Sequence, residues 1–428
     1  MTYRELLSGN ADFRRLWTGQ VVSEIGDWLN NIAVLALVIQ LAGAGSVGLA
    51  VATYAIARHL PLFLFGPVAG VVVDRVSRRR VMIAADLVRA GLALGFLLAN
   101  HSGSLALIYV VGASLFSVSA FFNAAKRASI PNLIGSTEEL LAANSLSAST
   151  TAATIAVGSA LGGVIATALG RETVFALNAL TFLVSAEMIR RIRKSRSSSS
   201  NITVRRSPLA AYFKDFREGL RYVRRDQVLA AVFVVAGGWG LGNGAARALY
   251  SLFGANLGEQ AAARWGASVS AVAERPTDFG ISVLFVAMGL GGVLGAPLAR
   301  RFNRGALGGL GARMGRSLTL DGCGLLLFSL TPNLFGAAAL LVAREMNFAI
   351  WWTAQQTLLM RRTEDAFAGR VFASYETLTT LMMVGSMLVS GAAADRLGMR
   401  VVAAGGGTVI MLSGLLWFAL RRHEGETV

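Results

Sequence analysis

Apolar residues along this chain run in long blocks interrupted by short polar bursts, and that rhythm predicts its elements. A helix crossing a hydrocarbon core about 30 Å thick needs roughly 20 residues at about 1.5 Å each. Twelve blocks are long enough: Leu16 to Leu41, Val47 to Val73, Val81 to Asn100, Ser104 to Ala125, Leu140 to Leu169, Thr173 to Arg190, Val228 to Asn256, Ile281 to Arg300, Ala306 to Leu330, Leu334 to Met360, Val371 to Ala394 and Val401 to Leu420. The pattern predicts an all-α membrane protein with twelve transmembrane helices in two pseudo-symmetric six-helix bundles.

The polar bursts carry orientation. Short loops rich in Lys and Arg stay on the cytoplasmic side, and basic clusters fall on alternate connections: Arg75 to Arg80, Lys126 with Arg127, the Arg190 to Arg225 stretch, Arg300 to Arg304, Arg361 with Arg362, and Arg421 with Arg422. Both termini are therefore expected in the cytoplasm, with the chain a multi-pass protein of the inner (plasma) membrane. The opposite connections hold mainly His101, Arg171, Arg264 and Arg275, together with Arg396 and Arg400, a pair this count does not explain. From Arg190 to Asp226 the chain has the composition of a solvated linker, including an Arg-Ser-Ser-Ser-Ser-Asn run. The expected division is an N-terminal bundle over 1–190, a cytoplasmic basic linker over 191–226 and a C-terminal bundle over 227–428.

Composition supports the bilayer and removes rival classes. The 428 residues are 54% hydrophobic and only 15% charged, with a mean hydropathy of +0.57. Forty Lys and Arg against twenty-four Asp and Glu give +16, a balance that in a soluble chain would suggest nucleic acid. Here the basic residues sit between apolar runs, where they fix topology and meet anionic headgroups, so no nucleic-acid partner is expected. Cys323 is the only cysteine, which excludes an intramolecular disulfide, and no cluster has metal-ligand spacing. No metal, cofactor or catalytic residue is expected. An enzyme is disfavoured because nucleophile, base and orienting group do not recur at usable spacing, and direct ATP driving because no phosphate-binding G-x-x-x-x-G-K-[ST] loop occurs. Arg4, Arg14 and Arg15 precede a long apolar run without a small-residue cleavage pattern, which reads as a retained first helix.

An ionisable side chain deep in a membrane costs several kcal/mol unless paired or hydrated, so each marks a functional candidate. In the first span Gln20, Glu24, Asp27 and Asn31 recur at four, three and four residues and share one helical face. That face must line a cavity or meet another helix. Arg58 and His59 lie at similar depth in the second span, and a pairing of Arg58 with Asp27 or Glu24 is expected, either as a static helix tie or in proton and substrate handling. His59 reads as a packed histidine. Asp86 and Arg89, one turn apart, read as a local pair.

In the second bundle Asn243, Arg247, Asp321, Arg344, Glu345 and Trp351 are the candidate substrate-cavity residues. Arg344 and Glu345 are adjacent and point about 100° apart, so at least one needs a partner elsewhere. Asn347, Trp352, Gln355 and Gln356 share their helix with Trp351. A Trp face there suits a bulky amphipathic or cationic ligand or anchors the helix at the interface. Glu376 reads as structural.

Sequence motifs connect these charges to a family. Gly70, Asp74, Arg75, Arg78 and Arg79 follow G-x-x-x-D-R-x-x-R-R, and Gly295 to Arg304 repeats the pattern after the eighth span with Ala299 in place of the acid. The motif, the span count and the central basic linker resemble the major facilitator superfamily over essentially the whole chain. Asn123 to Pro131 leading to Ala143-Asn144, Gly158 to Gly163, and Gly369-Arg370-Val371 resemble its macrolide-efflux and enterobactin-exporter branch. Gly158, Gly162 and Gly163 match part of the antiporter motif G-P-x-x-G-G, whose small residues allow close helix approach and bending, with Ser159 where proline is usual.

The resemblance implies alternating access at a midplane site between the halves. It also implies a latch in which Asp74 meets the inner end of the eleventh span, near Arg75 and Arg78, in the outward-open state. The expectation is a monomeric, proton-coupled exporter of a bulky amphipathic compound, of the antiporter and multidrug-resistance type, with coupling at Glu24 or Asp27. A lysophospholipid flippase, a nutrient importer and a non-transporting sensor or assembly partner are the alternatives.

Overall fold

A computed structural model describes residues 2–193, 208–265, 274–303 and 309–421. Among these, fourteen helices follow one another: α1 (Tyr3–Gly9), α2 (Ala11–Leu41), α3 (Val47–Arg75), α4 (Arg78–Ser102), α5 (Leu105–Leu133), α6 (Thr137–Leu169), α7 (Arg171–Arg190), α8 (Pro208–Val223), α9 (Gln227–Trp265), α10 (Pro276–Asn303), α11 (Leu310–Leu330), α12 (Leu334–Arg362), α13 (Asp365–Leu397) and α14 (Met399–Arg421). Eleven of them are long and apolar enough to cross a membrane. The twelfth span, α11, has the length but carries Arg313, Arg316 and Asp321 along its course. The twelve-helix architecture stands, α2 to α7 forming one bundle and α9 to α14 the other.

Most spans run past their apolar blocks, because a helix that has satisfied its backbone internally continues into polar sequence until a cap stops it. Helix α9 reaches Trp265, nine residues beyond the expected end at Asn256. Helix α5 reaches Leu133, so Lys126 and Arg127 lie within a helix and not on a connection. Of the last basic clusters, Arg304 and Arg422 fall outside the described residues.

The linker expectation needs correcting in part. Residues 194–207 are outside the described set, but 208–223 form α8, which packs on α13. Ser374 Oγ donates to the Phe216 carbonyl at 3.0 Å, Tyr222 stacks on Phe367 at 4.6 Å between centroids, and Arg370 reaches Glu218 at 3.4 Å. The interspersed charges of this stretch hide a helical period, and Gly219 allows the close approach to the Arg370 turn.

Each bundle has its own apolar core, one around Phe96, Phe175 and Phe182 and the other around Phe253, Phe328 and Trp417. The halves meet along α6 with α10 and α3 with α13. On the first seam, a Cβ on Gly163 would collide with Ser282. Gly158 and Gly162 face α2 instead, where a Cβ would stand 2.7 Å from the Ile25 carbonyl oxygen and 2.9 Å from Leu29 Cα. The three glycines are close-approach positions, two within the first bundle and one across the seam. Arg400 finds its reason here: it donates to the Ser329 and Thr331 carbonyls at 3.0 and 3.1 Å, capping the end of α11, where a cation also meets the negative pole of the helix.

Candidate substrate cavity

Helix α2 divides into two unlike stretches. From Leu29 to Val38 every residue is buried, whereas toward its N-terminus buried and half-buried positions alternate. A cavity of about 330 Å³ opens beside the second stretch, between the halves. From the first bundle come Glu24, Asp27, Asn31, Arg58, Arg89 and Lys126; Arg247, Tyr250, Phe285 and Met288 close it from the second. The four coupling candidates of the first bundle thus share one chamber.

Their partners differ from expectation. Arg58 pairs with neither acid: it donates to Asn31 Oδ1 and lies over the rings of Trp28 and Phe116, at 4.7 and 5.0 Å from their centroids. Glu24 accepts from Gln20 at 2.9 Å, from Lys126 at 3.3 Å, and from the hydroxyls of Thr154 and Thr151 at 3.2 and 3.3 Å. Asp27 accepts no hydrogen bond from the described residues. Its nearest cation is Arg89 at 4.0 Å, which is itself hydrogen-bonded to the buried Asp86 and packed over Phe122 and Phe182. His59 donates through Nδ1 to the Ala55 carbonyl at 2.8 Å and also faces the chamber.

Five of the six second-bundle candidates do not line this cavity; Arg247 alone does. Asp321 and Arg344 form a buried ion pair at 3.0 Å, and Arg344 also donates to Asn243 Oδ1 at 3.2 Å and to the Tyr250 hydroxyl. This trio ties α9, α11 and α12 together. Trp351 is 1% exposed and packed in a cluster with Trp239, Phe348 and Trp352, so it offers no face to a ligand in this state. Glu345 sits against Gly291 of α10.

At the end of the bundle away from the N-terminus, the halves are bolted together. Arg171 forks onto Asp278 at 2.8 and 3.1 Å, and Arg275 donates to the Ala166 carbonyl. Asp395, near the end of α13, accepts from the backbone N–H groups of Gly48 and Leu49 at 2.7 and 2.9 Å. At the opposite, basic face the cross-bundle contact is thinner, with Arg300 donating to Ser145 at 3.3 Å. The chamber is closed at the far face by one ion pair, hydrogen bonds from Arg275 and to Asp395, and a buried helix wall.

A family model described as transmembrane secretion effector matches residues 8–428. The chain belongs to that family of major facilitator transporters. A putative bacilysin exporter of Bacillus subtilis strain 168 is 26% identical over 78% of each chain, and macrolide efflux protein A of Streptococcus pyogenes is 22% identical over 93% of each. Among solved structures, a bacterial homologue of the iron transporter ferroportin in an inward-facing state superposes with a TM-score of 0.67 at 14% identity, covering 96% of this chain and 99% of that one. As a transmembrane secretion effector the chain is a multi-pass membrane transporter.

The residues expected to form a latch do not engage one another among the described residues. Asp74 and Arg75 are exposed, a Cβ on Gly70 would meet open space, and Arg78 and Arg79 donate to the Ala128 and Arg190 carbonyls. Sequence reasoning missed two charged residues of the chamber wall. Lys126 read as an interfacial charge because Arg127 follows it, and Arg89 read only as the partner of Asp86. Their signal was present all the same: both are cations within about a turn of an apolar block's middle or end, without a matching local acid in the case of Lys126.

Proposed function

We propose that this transporter is a proton-coupled exporter of a bulky amphipathic compound, working by alternating access in the inner membrane with both termini and the basic face in the cytoplasm. The observation that carries the reading is Asp27, a carboxylate in a chamber between the halves, with no hydrogen bond from the described residues and a cation at 4.0 Å that is already engaged. Such a group can exchange a proton for a cargo charge without dismantling the fold, whereas Glu24, held by Gln20 and Lys126 beside two threonine hydroxyls, positions the wall. With the far face bolted, the chamber is in the cargo-loading state of an exporter. Proton entry from the far side to Asp27 would then displace cargo after the halves rock.

The named efflux activities of the two relatives support direction, and the mixed lining, with Trp28, Phe116 and Phe285 beside Arg58 and Asp27, supports an amphipathic cargo. A single chain contains the whole chamber, so the working unit proposed is a monomer. The test is pH-driven efflux from proteoliposomes across macrolides, siderophores, dyes and lysophospholipids. Asp27→Asn is expected to abolish the pH drive while leaving cargo counterflow measurable, and Glu24→Gln to weaken both. Undiminished pH-driven efflux in both variants would sink the coupling assignment, and flipping of lysophospholipid alone would replace the drug reading.

A further inference from the structure

The cavity holds two arginines that form no ion pair with a carboxylate of the described residues. Lys126 is paired with Glu24 and Arg89 with Asp86. Arg58 hydrogen-bonds to the neutral Asn31 amide and lies over two aromatic faces, with Asp27 within electrostatic range but not in an ion pair, and Arg247, reaching in from α9, makes no hydrogen bond or ion pair with any described residue. Arg247 also stands within electrostatic range of Arg58 and His59. Two guanidinium groups facing one chamber at mid-membrane depth repel each other; Asp27 balances one of them at most, and the other costs several kcal/mol without a counter-charge. An arginine pair of this kind is a fork for a carboxylate.

Asp27 supplies the opposite charge nearby. It lies one helical turn from Asn31 on α2, about 6 Å along the axis, on the same chamber wall. The charged groups around it are Arg89, Arg58, Glu24 and Asp86, with Lys126 and Arg247 on the facing helices. A purely anionic cargo would be held more firmly once Asp27 takes up a proton, which is the wrong sign for exchange. A cargo with an ammonium group at Asp27 competes with the proton for the same oxygens and is released by it.

Building on the export reading above, we propose that the cargo is a zwitterion with an apolar body: its carboxylate seats between Arg58 and Arg247, and its ammonium lies about a helical turn away at Asp27. The aromatic faces of Trp28 and Phe116 pack the body. The separation suits an amine and a carboxylate several bonds apart, as in a short peptide.

Three probes on one scaffold test this: glycyl-naphthylalanine, its C-terminal amide, which is only a cation, and its N-acetyl form, which is only an anion. Binding to the purified full chain in lipid nanodiscs is read by titration calorimetry. The zwitterion is expected to bind about tenfold or more tightly than the amide, a difference of about 1.4 kcal/mol. Arg58→Gln and Arg247→Gln should each shrink that preference to about threefold or less, with Arg58→Lys keeping most of it as the folding control. Asp27→Asn should weaken the zwitterion and spare the N-acetyl probe. Equal binding of amide and zwitterion, a preference that survives both Gln variants, or no binding of any probe at millimolar concentration overturns the proposal. Efflux of bound probe from loaded proteoliposomes is scored separately: binding as stated without efflux defeats the export reading and leaves the charge assignment standing.

Discussion

Replacing Asp395 with Asn should loosen the closed far face, and the structure gives the size of the effect. Helix α3 begins without a side-chain cap: Ser46 stands at its N-cap, but its hydroxyl donates to the Gly43 carbonyl at 2.9 Å. The orphan amides of Gly48 and Leu49 are met instead by the two oxygens of Asp395 from the other bundle. A capping side chain contributes about 1 kcal/mol, and an anion at a helix N-terminus adds about 0.3–1 kcal/mol. Asn keeps one acceptor oxygen and loses the charge and the second bond. The closed far face should therefore lose about 1–2 kcal/mol, a factor of roughly 5–30 in the ratio of the two states. Spin labels at Ser102→Cys and Pro332→Cys, in a Cys323→Ser background, would report this as growth of a long-distance population in pulsed dipolar spectra. An unchanged distance distribution in Asp395→Asn refutes the trans-capping argument, because nothing else at that helix end takes the place of the lost oxygen.

Three further outcomes follow from named contacts. Asp74→Asn should express and melt like the parent, since Asp74 is exposed and unengaged in this conformation, yet transport turnover should fall; full turnover in vesicles removes the latch. Arg344→Ala leaves Asp321 buried without its cation and should cost about 3–5 kcal/mol, read as loss of folded, monodisperse protein, with Arg344→Ala/Asp321→Ala recovering part of it; no gain in the double variant contradicts the pairing. Gly162→Leu drives a side chain into the Leu29 backbone and should cost about 1–3 kcal/mol by overpacking; a parental melting temperature would show that α2 and α6 do not meet there.

How far the chain could be read in advance follows from the range of each signal. The spans were legible because their requirement is local: enough apolar residues in a row to cross the hydrocarbon. The shared face of Gln20, Glu24, Asp27 and Asn31 was legible for the same reason, since helical spacing alone puts them together. What those residues touch was not. Whether Arg58 meets Asp27 or Asn31 depends on the rotation of α3 against α2, and nothing within either helix records it. The Asp321–Arg344–Asn243 tie depends on three rotations at once, which is why those residues read as cavity lining although in this state they pair with one another away from the chamber. Helix α8 was missed on different grounds, its charges resembling a solvated linker although its apolar positions recur with the helical period. Lys126 was hidden by position, sitting beside Arg127, which is exposed.

The distribution of unmet charge separates the work of the two bundles. In the second bundle Asp321 closes on Arg344, and of the candidate residues there Arg247 alone lines the chamber. In the first, Asp27 and Arg58 stay open to the chamber. A proton or a cargo molecule arriving there changes a local balance without first breaking a buried pair. The contacts that hold the far face are of the same modest kind, a carboxylate on two amides and one arginine fork, and the expected latch at Asp74 on the basic face is a carboxylate at a helix end as well. If the two faces are held by matched contacts worth about 1–2 kcal/mol each, neither state is deeply favoured. A difference in cargo or proton affinity of a few kcal/mol between the states then suffices to swing the population, since about 5.5 kcal/mol already carries an equilibrium from 1:99 to 99:1. Strengthening either face alone should therefore slow transport, and strengthening both should restore the balance while lowering the rate of exchange.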